Sequence, residues 1–201
     1  MSAHDEDHED LKPTMTAGYK LANAKTAAEY AALDAEDESL ARWKASLGIG
    51  ADNAAVAAPA TGPKVTVLSL FLSSESLGEK KISFDVTNLE ALAALKKNPI
   101  NIKEGIEYSV GITFKVNHSI ISGVRYLQIV KRAGIKVDKL EQMLGSYGPK
   151  PEPYTKIFDP EESPSGVLAR SGTYIVKSRV ADDDGEVYAD WEWSFKLAKE
   201  W

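Results

Sequence analysis

Trp191-Glu192-Trp193-Ser194-Phe195-Lys196-Leu197 sets a large apolar residue at every odd position and a polar one at every even position. Successive side chains of a β-strand leave opposite faces of the pleat, so this period of two predicts a strand with one buried face. Two tryptophans and a phenylalanine commit a large apolar area to that face. The face is either sealed core or the wall of a pocket for an apolar guest.

Working outward, the β signal continues upstream. Tyr174, Val176, Ser178 and Val180 begin a strand that turns at Asp182-Asp183-Asp184-Gly185 into the tryptophan strand. Val65–Ser73 is strongly apolar, Ile82, Phe84 and Val86 alternate, and Tyr108 to Val116 is the longest clean alternation. Val124–Val130 reads as a strand, with Ala133-Gly134 marking a hairpin. Asn88 is placed to cap a short helix bearing Leu89, Leu92 and Leu95, which ends before Pro99. Met143-Leu144-Gly145-Ser146-Tyr147-Gly148-Pro149 is read as a loop, and residues 151–166 as mostly irregular. Seven to nine short strands predict a mainly β chain, an immunoglobulin-like β-sandwich over residues 64–201.

Residues 1–63 form a different region. The net charge of −6 lies wholly there, with eleven acids against five bases, whereas residues 64–201 carry nineteen of each. No basic excess exists to displace counterions from nucleic acid. The acidic opening His4-Asp5-Glu6-Asp7-His8-Glu9-Asp10 is almost free of apolar residues, so residues 1–18 are expected to be disordered. Tyr19 to Leu47 reads as two short helices joined by an acidic turn, with Asp34 as N-cap and Leu40, Trp43 and Leu47 as one stripe. Helices this short need a surface to fold upon. Residues 48–63 read as a flexible linker spanning roughly 20–25 Å. The whole is an acidic, flexible, helical arm on a sandwich.

Several chemistries find no support. With no cysteine, the chain has no disulfide, no thiolate nucleophile and no zinc-thiolate site. The start carries no signal-type apolar run, and no run is long enough to span a bilayer, which points to the cytosol. Gly145-Ser146-Tyr147-Gly148 lacks nucleophile-elbow spacing, Gly48 and Gly50 open no phosphate-binding loop, and His118 reads as a solvated loop histidine. His4 and His8, the pair Glu161-Glu162 and the aspartate turn read as solvated acids and tails rather than metal ligands. The expectation is a non-enzyme without cofactor or metal.

Leu33-Asp34-Ala35-Glu36-Asp37-Glu38-Ser39-Leu40, Gly145-Ser146-Tyr147-Gly148-Pro149, Leu168-Ala169-Arg170, Lys177-Ser178-Arg179 and Trp191-Glu192-Trp193 occur in an order and at separations that resemble the Rho GDP-dissociation inhibitors, of fungal type. The resemblance covers about residues 19–201. It implies a cytosolic monomer that forms a 1:1 complex with prenylated Rho-family GTPases of Rho or Rac type, preferentially GDP-bound. Such a protein blocks GDP release, extracts the GTPase from membranes and shelters its geranylgeranyl group between the sheets. The resemblance assigns GTPase contact to Glu36, Asp37, Leu40 and Trp43 on the arm and to Asp184 in the hairpin. It assigns the prenyl group to Leu70, Tyr108, Ile112, Ile120, Val176 and Trp193, and the basic GTPase tail to Glu161 and Glu162. Thr26 falls where relatives carry a phosphorylatable serine. Trp43 stands where tyrosine is common, and Ile100-Asn101 replace a bulkier pair. The alternative is a general prenyl-protein carrier of the phosphodiesterase-delta type, which shares the sandwich and would tolerate loss of the arm.

Overall fold

The structure is a computed structural model, and it describes residues 9–14, 32–33, 36–46 and 62–201. His4, His8, Thr26, Asp34 and residues 48–61 of the linker lie outside the described residues. In the arm, α1 spans Glu38–Ser46. Asp37 caps it: one carboxylate oxygen accepts the Ser39 and Leu40 amides at 2.8 and 3.1 Å. A carboxylate there satisfies orphan N–H groups and meets the positive helix end. The Lys44 ammonium donates to the Leu33 carbonyl, whereas Leu40 and Trp43 stay exposed.

Among the described residues, ten strands form two sheets. The first has β1 (Val65–Ser73) between β2 (Ile82–Asp85) and β4 (Glu107–Val116). Beyond β4 come β7 (Tyr154–Ile157) and the two-residue β8 (Glu161–Glu162). The second runs β3 (Ile100–Lys103), β10 (Val187–Ala198), β9 (Thr173–Ala181), β5 (Ile121–Arg132) and β6 (Ile135–Tyr147). All pairings are antiparallel except β3 on β10. The β-sandwich expectation holds, with two local corrections. Met143 to Tyr147 is not a loop but the end of β6, where Gly145, at φ 122°, absorbs an irregularity opposite Val124. Residues 151–166 include β7 and β8, because each adds backbone hydrogen bonds to the unpaired edge of β4.

The tryptophan strand lies near the centre of its sheet. Trp191, Trp193, Phe195 and Leu197 all point into one hydrophobic core. They meet Leu70, Leu72, Val110, Ile112 and Phe114 from the first sheet. Phe195 stacks on Tyr174 with centroids 4.7 Å apart, and Phe84 leans on Trp193 at 5.6 Å. The even side of the strand is not uniformly wet. Ser194 is buried because α2 (Leu89–Lys97) lies over it, and its hydroxyl donates to the Leu95 carbonyl at 2.7 Å. Asn88 caps α2 as expected, accepting from the Glu90 and Ala91 amides.

Residues 9–14, within the stretch expected to be disordered, lie against the sandwich. Leu11 is buried on the outer face of the second sheet against Leu127, Ile129 and Ala181. A single leucine is invisible to average composition, yet it supplies an apolar anchor.

Candidate functional site

Two features stand at opposite ends of the sandwich. Strand β9 runs from one to the other, and the eight residue steps from Tyr174 to Asp182 separate them by about 26 Å at ~3.3 Å per residue.

At one end is the β9–β10 hairpin, whose three aspartates divide their work. Asp182 is buried and builds the turn: one oxygen accepts the Asp184 and Glu186 amides at 3.0 and 2.9 Å, the other the Tyr188 hydroxyl at 2.6 Å. Burial, and then the Asp182 carboxylate, push the Tyr188 phenol well above its ordinary range. Asp183 turns back to Arg125, whose Nε donates at 3.0 Å. Gly123 leaves room for it; at φ 66° a Cβ there would come within 2.7 Å of an Asp183 oxygen. Asp184 is exposed at the tip. The same end holds the start of the sandwich. Lys64 pairs with Glu186, the His118 Nε2–H donates to the Gly62 carbonyl at 3.1 Å, and the Asn117 side-chain amide donates to the Pro63 carbonyl at 2.8 Å. His118 is therefore not a solvated bystander: it is half-buried and pins the point where the arm joins.

At the other end the sheets part around a cavity of about 590 Å³, within the ~300–1,000 Å³ range of small-ligand sites. Val130, Leu140, Tyr174 and Phe195 come from the second sheet, Tyr108 from the first, and Ala169 from α3 (Val167–Arg170). These walls are apolar. The rim is charged, with Arg132, Asp138, Lys139, Glu161 and Glu162. Glu161 is half-buried and accepts the Tyr108 hydroxyl at 3.2 Å. Burial raises its carboxyl above the ordinary carboxylate range, the Tyr108 bond opposes this, and the nearby Asp138 charge adds to it. An apolar chamber with Glu161 and Glu162 at a mixed-charge rim suits an apolar chain joined to a basic segment.

The predicted prenyl residues fall into three groups. Tyr108 lines the cavity. Leu70, Ile112, Val176 and Trp193 lie deeper, in closed core with at most 2% exposure. Ile120 is half-buried just before β5, at the hairpin end, away from the cavity. Between these groups a buried polar chain crosses the core. The Tyr126 hydroxyl donates to Gln128 at 2.7 Å and lies 2.9 Å from the Ser178 hydroxyl, which also accepts the Trp193 indole N–H at 3.2 Å. Sequence reasoning missed Val130, Leu140, Ala169, Tyr174 and Phe195 as cavity walls. The alternation carrying Trp193 also carries Phe195 and Tyr174, so those two were open to discovery. Of the other predicted residues, Glu162 joins Glu161 at the rim, Asp184 tips the hairpin, Asp37 caps α1, and Glu36, Leu40 and Trp43 are exposed near or on α1.

Fold and site together define a two-sheet β-sandwich that opens a cavity between its sheets, with a charged rim and a separate acidic hairpin. The chain belongs to the Rho GDP-dissociation inhibitor family. The family described as RHO protein GDP dissociation inhibitor matches residues 2–200. A Rho GDP-dissociation inhibitor of Saccharomyces cerevisiae is 42% identical over 186 residues, covering 90% of each chain. That of Schizosaccharomyces pombe is 40% identical over 181 residues, 90% of this chain and 86% of the relative. Rho GDP-dissociation inhibitor 1 of Homo sapiens is 40% identical over 183 residues, 91% and 86% respectively. This membership does not favour the general prenyl-carrier alternative. Among the described residues no helix is long and apolar enough to cross a membrane.

Proposed function

We infer that the chain binds prenylated Rho-family GTPases one to one, preferentially in the GDP form, and slows GDP release. It extracts them from membranes into the cytosol, acting as a binding protein rather than an enzyme. The observation that carries this reading is the cavity of about 590 Å³ between the sheets, apolar within, with Glu161 and Glu162 among the charges at its rim. The geranylgeranyl chain enters past Glu161 and Glu162, which face the basic tail that precedes it. Tyr108, Val130, Leu140, Ala169, Tyr174 and Phe195 receive its first carbons. Leu70, Ile112, Val176 and Trp193 yield to its far end as the sheets part. The arm, residues 1–63, covers the GTPase with Glu36, Asp37, Leu40 and Trp43, while Asp184 meets it from the sandwich, residues 64–201.

The energetics explain why two sites are needed. Each CH₂ removed from water stabilises by about 0.8 kcal/mol, but a bilayer offers the same, so the cavity only matches the membrane. The protein contact supplies the surplus, and joining both sites raises the effective concentration of each. The test is GDP release and pull-down with prenylated and unprenylated Rho-type GTPase. Equal capture of both forms, or no slowing of release, refutes the reading.

A further inference from the structure

The outer face of a sheet normally meets water, yet Leu127 and Ile129 on β5 and Ala181 on β9 are buried there, apart from the sandwich core. The residue that covers them is Leu11, itself only 2% exposed. Polar contacts flank it on both sides. The Lys136 ammonium donates to both Asp10 oxygens at 2.8 Å, and an Arg179 N–H lies 3.4 Å from the Leu11 carbonyl. The Thr14 amide and hydroxyl donate to Glu141 at 2.8 and 2.7 Å. Arg125 then joins Glu141, at 2.9 Å, to Asp183 in the hairpin.

We propose that the outer face of β5, β6 and β9 is a docking site for the chain's own N-terminal segment, and that residues 9–14 strap the start of the arm to the sandwich beside the acidic hairpin. The fit is chemical as well as steric. One leucine covers an apolar patch, an aspartate meets a lysine, and a threonine satisfies a carboxylate that Arg125 already holds. His118 and Asn117 fix Gly62 and Pro63 at this same end. Thr14 and Gly62 are thus both held near one end of the sandwich, so the chain between them is tethered at both ends. A closed loop has fewer conformations than a tail, so less freedom is lost when it folds on a partner. This last consequence rests on the function proposed above; the docking itself does not.

The absence of native cysteine allows a single nitroxide at Lys12→Cys in the otherwise intact chain. The label should broaden the amide signals of Leu127, Ile129 and Ala181, and residues 9–14 should show order parameters near the rigid value of about 0.85. Adding Leu11→Asp should abolish the broadening and drop those order parameters below about 0.6, with the remaining sandwich signals unmoved. Uniform weak broadening, or order parameters already low in the parent chain, overturns the proposal. With a prenylated GTPase, Leu11→Asp should retain lipid binding but allow faster GDP release. Unchanged inhibition once the strap is free overturns the closed-loop role, whereas failure of the parent chain to inhibit at all refutes the proposed function instead.

Discussion

Ala169→Phe is the sharpest test of where the lipid goes. Ala169 is nearly buried on α3 and lines the cavity, while its carbonyl accepts the Tyr174 hydroxyl at 3.0 Å, a bond the side chain does not touch. A phenyl ring there occupies space in the cavity instead of forcing a closed core, so little strain is expected. Displacing about four carbons of a bound chain at ~0.8 kcal/mol per CH₂ costs about 3 kcal/mol, roughly two-hundredfold in affinity. Val176→Trp is a poorer probe, because Val176 is fully buried among packed neighbours and overpacking costs about 1–3 kcal/mol or more. The assay is calorimetric titration with geranylgeranyl cysteine, with tryptophan emission as a second readout from Trp191 and Trp193. A thermal melt on the same sample checks the fold, and a midpoint within about 4 °C of the parent is expected. If the variant melts normally and binds the lipid like the parent, the chain does not enter here, and the reasoning from the cavity fails.

Asp184→Ala should weaken GTPase binding by about 2–5 kcal/mol without moving the melt, whereas Asp182→Ala should lower the melting point because it removes the acceptor of three hydrogen bonds; paired melts and titrations separate the two. Ser178→Ala should leave the Trp193 indole N–H without its partner at a cost of about 1–3 kcal/mol, and at about 2–4 °C per kcal/mol the melt reads it directly. Glu161 has a raised carboxyl pKa in the folded chain, so its contribution favours the fold below the ordinary value of 4.5 and is lost as pH rises through the raised one. Glu161→Gln should therefore raise the melting point at pH 7 and flatten this part of the pH dependence, while weakening binding of a basic, prenylated peptide. Glu141 has the opposite sign: although burial pushes it up, Thr14 and Arg125 together hold it low. Its share of stability is present above 4.5 and fades as pH falls through the depressed value, so the strap should loosen in acid, as order parameters of residues 9–14 would report.

The sandwich was legible because period-two alternation is a direct imprint of the pleat. What escaped were features that alternation does not encode. Ile100-Asn101-Ile102-Lys103 alternates, but its parallel place beside β10 depends on the route the chain takes across the sandwich. Gly145, Gly148 and Pro149 suggest a loop, and only the partner strand shows that β6 continues to Tyr147. The cavity was the hardest to read. Leu70, Ile112, Val176 and Trp193 obey the same pattern as Tyr174 and Phe195, yet the former are packed and the latter face a void. A void is missing volume between elements, and no residue's identity records it. Leu11 escaped for the converse reason, one anchoring side chain in a stretch whose average composition is that of a disordered tail.

The two ends of β9 also act as a ruler. A partner whose folded body rests against the hairpin and whose lipid enters past Glu161 must cross about 26 Å of sandwich by extended chain. At ~3.3–3.6 Å per residue, that crossing takes about eight residues. A shorter tail cannot engage both ends at once, however well its lipid fits, and a much longer one dilutes the gain from joining them. If the function proposed above holds, the sandwich would select its partners by the reach of their tails before any contact reads their sequence.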